Sequence, residues 1–280
     1  MRSQKRMKLI REIILYTVLT LFSIIFLIPL FWMISTSLKQ EAQVMVVPIQ
    51  WFPKPPQWRN YIDAVKAFPF FRYFWNTSFL AILNVVGTLF SASLVAYSFS
   101  KLRWKGRNQL FYITIATMFI PSQVLIIPTY LLFSKLGWVN TYLPLVVPAF
   151  CGGGAFNIFL LRQFFVSIPD ELLEAARIDG ASEFRIYSQI MLPLSKPVLF
   201  TVSIFTLLFS WNDFFGPLLY LHDPEKWTLA VGLRSFQQQY TNTWSLLMAA
   251  STLTALPLII MYFVFQKNIT SGFALSGSGK

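Results

Sequence analysis

Six apolar stretches of about 20 residues, at 13–35, 77–99, 110–133, 143–165, 198–221 and 246–265, alternate with segments that carry nearly all the charge. At 1.5 Å per residue, a helix of that length covers the roughly 30 Å hydrocarbon layer of a bilayer. Backbone groups in lipid must be satisfied internally, and none of these runs alternates as a strand would. The expected fold is therefore all-α, a polytopic membrane protein with six transmembrane helices. Pro121 and Pro128 predict kinks in the third run that would open room for a central pathway. Gly152, Gly153 and Gly154 predict a close-packing or kink site in the fourth.

The segment 166–197 departs from this pattern. It holds Asp170, Glu171, Glu174, Asp179 and Glu183, five of the chain's eleven acidic residues. Ser167 with Asp170 three residues on has the pattern of a capping box, with Pro169 in the first turn, so a helix is expected to start at Ser167. Gly180 ends that helix in a left-handed conformation. A second short helix starts near Ser182 and must finish by Pro193, which cannot donate the next backbone bond. The result is a compact protrusion beside the membrane, with Ala175 and Ala176 on its surface, suited to insertion into a partner's groove. The plain alternative is a solvated hairpin that only connects two spans, its Glu174–Arg177 pair worth at most about 0.5 kcal/mol.

With 55% hydrophobic and 12% charged residues in 280, a soluble domain would lack polar surface. Lys and Arg set the orientation, because cytoplasmic loops carry the excess. With both termini inside, 15 of the 23 basic residues are cytoplasmic, and five of the other eight lie in the long first loop. The domain reading is a cytoplasmic N-terminus at 1–12, a peripheral first helix at 13–35 and an extracytoplasmic loop at 36–76. A five-helix core at 77–265 and a cytoplasmic tail at 266–280 complete it. The net charge of +12 is a topology signal, spread over short loops, and no nucleic acid partner is expected. The basic start Arg2, Lys5, Arg6, Lys8 and Arg11 followed by a long apolar run reads as an uncleaved signal anchor. Cys151 lies within a span and has no second cysteine to pair with.

In the first loop, Trp51-Phe52-Pro53-Lys54-Pro55-Pro56 cannot continue a helix, and Phe68 to Trp75 has the composition of an interfacial segment. It serves as an aromatic belt, a docking surface for an extracytoplasmic partner, or both. Asp213 lies inside the fifth run, where a carboxylate costs roughly 2.5 to 3.5 kcal/mol and must face a cavity or a polar partner. With Trp211, Asn212 and Phe214 it makes a candidate sugar surface, rings on C–H faces and polar groups on hydroxyls. Equally, Asp213 and Asn212 could bond another helix or a broken turn before Gly216-Pro217. Asn84, Gln123 and Asn157 are further amide candidates for the pathway.

The segment Glu174-Ala175-Ala176, Gly180 four residues after the second alanine, nine further residues, then Ile190-Met191-Leu192-Pro193 resembles the coupling loop of ABC importer permeases. Trp211 to Tyr220, followed by Thr228-Leu229-Ala230-Val231-Gly232-Leu233, is similar to the carbohydrate-uptake branch, in particular the second maltose permease subunit. The tail is shorter and more serine-rich than in that type. The resemblance implies a type I importer permease fold in a prokaryotic inner or plasma membrane. It implies a homologous, non-identical permease partner, a dimer of ATP-binding cassette ATPases that bind ATP and Mg, and an extracytoplasmic sugar-binding protein. Glu174, Ala175, Ala176, Asp179, Gly180, Ile190, Leu192 and Pro193 would then form the ATPase contact, with Glu174 the charged contact and Gly180 the corner. The cargo would be a di- or oligosaccharide, with glycerol phosphate or another small solute as the alternative.

No cofactor and no enzymatic activity are expected in this chain itself. The terminal Gly277-Ser278-Gly279-Lys280 lacks the glycine spacing and the following Ser or Thr of a phosphate loop. His222, the single histidine, sits beside Asp223 with no second His or Cys near, so no metal site is expected. An autonomous secondary transporter would need more intramembrane ionisable groups, and an intramembrane hydrolase a nucleophile–base grouping.

Overall fold

The computed structural model describes residues 2–239 and 243–277, with side chains at 7–237 and 243–266. Ser278, Gly279 and Lys280 of the glycine-rich tail lie outside the described residues. The elements in chain order are α1 (Arg2–Ser37), α2 (Arg59–Ala67), α3 (Phe70–Ser100), α4 (Arg107–Ala116), α5 (Ser122–Lys135), α6 (Leu143–Phe150) and α7 (Ala155–Ser167). They continue as α8 (Asp170–Ile178), α9 (Glu183–Ile186), α10 (Leu192–Leu194), α11 (Lys196–Asn212), α12 (Phe215–Tyr220), α13 (Leu229–Gln239) and α14 (Trp244–Gly277). No strand occurs among the described residues.

Four helices among the described residues are long and apolar enough to cross a membrane: Met7–Ser37, Phe70–Ser100, Leu143–Ser167 and Trp244–Gln266. Two bent pairs bring the number to six if each is one span. These are Arg107–Phe119 with Ser122–Lys135, bent by 102°, and Glu183–Leu194 with Lys196–Asn212, bent by 78°. The third expected run is thus broken rather than kinked. Pro121 takes an extended ψ of 129° and cannot donate into the preceding turn, so the chain leaves the helix there, whereas Pro128 sits inside α5. The fifth expected run also divides, α11 ending at Asn212 and α12 starting at Phe215. The aromatic run expected in the first loop belongs largely to a helix, because α3 begins at Phe70, seven residues before the predicted start.

Two compact units divide the chain, one of residues up to Pro69 with Leu233–Leu256, the other of Phe70–Gly232 with the residues from Pro257 on. In the first unit, Ala64 of α2 and Ala249 and Ala250 of α14 are fully buried together, small side chains that let helices approach closely. The Glu41 carboxylate accepts the N–H groups of Trp244 and Ser245, both at 2.9 Å, and the Ser245 hydroxyl at 2.7 Å. An anion thus closes the positive end of α14.

The second unit is organised by α3, which packs against α6, α7 and α11. Its Ala92 and Ala96, one turn apart and fully buried, meet Leu161 and Phe165 of α7 and Val198 and Val202 of α11 in one apolar core. The Gly152–Gly154 corner between α6 and α7 has positive φ at all three residues. Gly153 is the close-packed member, since a Cβ there would lie 2.9 Å from the Thr88 carbonyl oxygen and 2.9 Å from the Ala92 Cβ. Gly153→Ala combines a left-handed backbone at φ +65° with a clash against backbone, for an expected loss of about 2 to 4 kcal/mol. A lowered melting temperature of the purified protein and reduced accumulation in the membrane check it; an unchanged melt contradicts it.

Candidate functional site

The charged protrusion is built on α8 and α9. Its start differs from the expected capping box. Ser167 is the last residue of α7 and its hydroxyl is turned back onto that helix, donating to the Phe164 carbonyl at 2.7 Å, so it is not the N-cap of α8. Pro169 is the N-cap with an extended ψ of 136°, and α8 opens at Asp170 with Asp170 and Glu171 in its first turn. These carboxylates suit the positive helix end.

At the far end of α8, Gly180 has φ +80°. Its N–H bonds the Arg177 carbonyl at 3.0 Å, and the Ala181 N–H bonds the Ala176 carbonyl at 2.9 Å. That pair of bonds is a Schellman closure, which a side chain at Gly180 would strain. Ser182 then caps α9 by accepting the Arg185 N–H. Helical backbone continues past the expected stop at Pro193, through a π turn at Tyr187–Met191 and then Leu192–Leu194. Proline lacks one donor but keeps a helical φ, so the break falls two residues later at Ser195, ahead of Pro197.

The protrusion has two faces. Leu173, Ile186, Tyr187 and Met191 are buried in the core shared with α3 and α7, and Ala176, Ala181, Ile190 and Leu192 pack against it. Ala176 is therefore turned inward rather than onto the surface, and Ile190 and Leu192 hold the protrusion to the bundle. The outward face carries Glu174, Ala175, Asp179, Gly180 and Pro193. It also carries Ile178, 86% exposed, Phe184, 72% exposed, and Leu172. Those three apolar residues went unread in the sequence. Their signal was a large apolar residue at each of three positions in a charged segment expected to stand in water.

Three polar ties fix the protrusion to α3 and to Lys101 just past its end. Arg177 pairs with Glu183, Nε to Oε1 at 2.7 Å and Nη2 to Oε2 at 3.4 Å, rather than with Glu174. Glu183 also accepts the Tyr97 hydroxyl at 2.6 Å. Lys101 Nζ donates to the Ile168 carbonyl at 2.6 Å and pairs with Asp170, and the Ser93 and Tyr187 hydroxyls meet at 2.7 Å. Glu174 makes no hydrogen bond or ion pair among the described residues, so its charge is available outward. The Arg177 bond, then the Tyr97 hydroxyl, holds the Glu183 carboxyl below its ordinary range, and the Lys101 bond does the same for Asp170. Both pKa values are depressed in the folded state. The stabilisation is complete above the ordinary carboxylate range and is lost as pH falls through the folded values.

The pathway candidates do not form one polar surface. Trp211 is buried edge-on against Phe74, ring centroids 5.7 Å apart. Asp213 Oδ1 accepts the Gly216 N–H at 3.1 Å, closing the break between α11 and α12. Exposed Asn212 bonds back to the Leu208 carbonyl at 2.8 Å. Phe214 stands at the break, edge-on to Phe215. Asn84 bridges α3 to α11 through Ser210 at 3.2 Å, and Asn157 donates to the Gly153 carbonyl at 2.8 Å. Gln123 is exposed at the start of α5. The broken turn thus explains the Asp213 carboxylate: short, polar and bound to a backbone N–H that the break would otherwise orphan. Beside it, Ser122, Ile126, Thr129, Phe215, Gly216 and Tyr220 help line a cavity of about 380 Å³. His222 contributes its backbone N–H to Asn140 Oδ1, and Asp223 caps the turn at Pro224–Lys226.

Comparison with known proteins adds four findings. Residues 84–274 match the family described as binding-protein-dependent transport system inner membrane component. The chain is 33% identical to the arabinooligosaccharides transport system permease protein AraQ of Bacillus subtilis over 92% of this chain and 94% of that one. It is 30% identical to the diacetylchitobiose uptake system permease protein NgcG of Streptomyces coelicolor over 91% and 84%. A chain in the crystal structure of a bacterial ABC transporter involved in the import of the acidic polysaccharide alginate superposes with a TM-score of 0.80 at 28% identity. That match covers 92% of this chain and 96% of the other.

Proposed function

The chain belongs to the family of binding-protein-dependent transport system inner membrane components, and from that premise we propose that it is the permease subunit of an ATP-driven importer for a di- or oligosaccharide. It forms half of the translocation pathway beside a homologous, non-identical permease. Its termini are cytoplasmic, which places the protrusion on the side where ATP is available. A dimer of ATPase subunits binds ATP and Mg and does the hydrolysis, and an extracytoplasmic sugar-binding protein delivers the cargo.

The observation that carries the reading is the protrusion's division of labour. One face is exposed, apolar at Leu172, Ile178 and Phe184 and charged at Glu174 and Asp179, while the other is tied to α3 by Tyr97, Lys101 and Ser93. Such a shape transmits force. When ATP closes the ATPase dimer, the outward face moves with it, and the ties at Glu183 and Asp170 pass the displacement into the bundle. Alternating access then requires that ATP and the loaded binding protein favour the same state by a few kcal/mol. Wide family names for the cargo, arabinooligosaccharides and diacetylchitobiose among them, support an oligosaccharide as the class.

Reconstitution tests this. The chain co-expressed with its partners should bring an ATPase through purification without crosslinking and take up labelled oligosaccharide only with ATP and binding protein. Uptake by the chain alone, driven by an ion gradient, would instead mark an autonomous carrier. Ready uptake of glycerol phosphate with no oligosaccharide transport would correct the cargo class and leave the importer reading intact.

A further inference from the structure

The connection between α3 and α4 gathers Lys101, Arg103, Lys105 and Arg107 with no acidic residue among them. Membrane orientation alone asks only for positive charge on one side, not for convergence. Here Arg103, Trp104, Gly106, Arg107, Asn108 and Gln109 line one open cavity of about 210 Å³.

The charges around it are unbalanced. Lys101 is committed to Asp170 and the Ile168 carbonyl. Arg103 and Lys105 are exposed and make no hydrogen bond or ion pair among the described residues, and the carboxylate within electrostatic reach of Arg103 is that same Asp170. Arg107 spends its donors on neutral oxygens, the Leu102 carbonyl at 3.0 Å, the Ser100 carbonyl at 3.4 Å and Asn108 Oδ1 at 3.4 Å. Arg162, stacked 3.9 Å over the Phe111 ring and bonded to the Phe99 carbonyl, lies within electrostatic reach of Arg107. The cations thus outnumber the one carboxylate in reach, which Lys101 already engages, and that imbalance favours an anion from outside the chain.

The surroundings identify which anion. α4 is the first half of a bent span, so the cavity stands at the end of a hydrocarbon-facing helix, at headgroup depth. Trp104, anchored by Nε1 to the Ser98 hydroxyl at 3.2 Å, is the ring type that settles at that depth. One turn into α4, Leu110 and Ile113 lie three residues apart on one face and are both exposed. We propose that this cavity binds the phosphate headgroup of an anionic membrane phospholipid, whose acyl chains lie along Leu110 and Ile113. A free phosphate would make no use of that apolar face. The proposal stands independently of the coupling role of the protrusion.

The complete transporter in phosphatidylethanolamine bilayers containing phosphatidylglycerol provides the test. A photoactivatable phosphatidylglycerol should label the wild-type chain within 103–113, and a phosphatidylcholine probe should not. Arg103→Gln with Lys105→Gln should reduce labelling by about fivefold per charge removed, while Arg103→Lys with Lys105→Arg should retain it. Equal labelling by both probes in the wild type, or full labelling of the glutamine variant, overturns the proposal. So does loss of labelling on adding inorganic phosphate at constant ionic strength, which would make the free anion the ligand. A glutamine variant that keeps its lipid label but loses the ATPase during purification would assign the patch to a protein contact and overturn it as well.

Discussion

Replacing Ile178 and Phe184 together with aspartate should abolish ATP-driven uptake while leaving the chain folded in the membrane. Both side chains are exposed, at 86% and 72%, so neither contributes to the core and the fold has little to lose. An apolar residue seated in a partner's cleft is another matter. Truncation at the centre of an interface typically costs about 2 to 4 kcal/mol, or roughly 30- to 1,000-fold in affinity, and a buried carboxylate adds a desolvation cost. Glu174→Ala and Gly180→Val act on the same face by other means. The first removes an outward charge that makes no hydrogen bond or ion pair among the described residues, and the second strains a residue held at φ +80°, with open space where a Cβ would sit. Each should uncouple substrate-stimulated ATP hydrolysis, read as ATPase activity that no longer rises when loaded binding protein is added. Unchanged stimulation in all three variants would remove the protrusion from the coupling role.

A second expected result separates transmission from docking. Glu183→Gln and Tyr97→Phe leave the outward face untouched but remove the bond that ties it to α3, with Glu183 accepting the Tyr97 hydroxyl at 2.6 Å and the Arg177 guanidinium at 2.7 Å. Glu183 is about half exposed, so the loss is modest, about 1 to 2 kcal/mol for the double variant. The ATPase should still co-purify at wild-type yield, and the uptake rate should fall about five- to thirtyfold at the same ATP hydrolysis rate. Loss of co-purification would mean that the ties shape the docking face rather than carry the stroke. Wild-type uptake in the double variant would mean that the buried apolar face carries it without them.

Much of this was legible in the sequence because it depends on local chemistry. Apolar run length located the four helices among the described residues that are long and apolar enough to cross a membrane and overlapped both bent pairs, and the Gly180 corner followed from the need for a left-handed residue after α8. What was misread depended on competing partners. Ser167 fits a capping pattern, yet the turn before it offered the Phe164 carbonyl first. Glu174 and Arg177 are correctly spaced for a pair, but Arg177 reaches across the glycine corner to Glu183, which the hydroxyl of Tyr97 has already oriented. Such a choice involves residues 97, 177 and 183 together and leaves no trace in any one window.

The spans show the same limit. Periodicity cannot distinguish a kinked helix from two half-helices, so the 102° bend at Pro121 and the break at Asp213 read as continuous apolar runs. Asp213 itself was open between a sugar contact and a broken turn. Its bond to the Gly216 N–H supplies the second explanation. The outward apolar residues Leu172, Ile178 and Phe184 fall outside the motif, which around them is defined by charged and small positions. Their mark was large apolar side chains standing among the charges of a segment in water.

The most direct measurement places the protrusion against its motor. With Cys151 replaced by serine, a cysteine introduced at position 178 should crosslink to the ATPase subunit in the assembled transporter. The yield should change between nucleotide-free and ATP-trapped states. Efficient labelling of that cysteine by a membrane-impermeant reagent added from outside intact cells, with no crosslink to the ATPase in either state, would contradict the account.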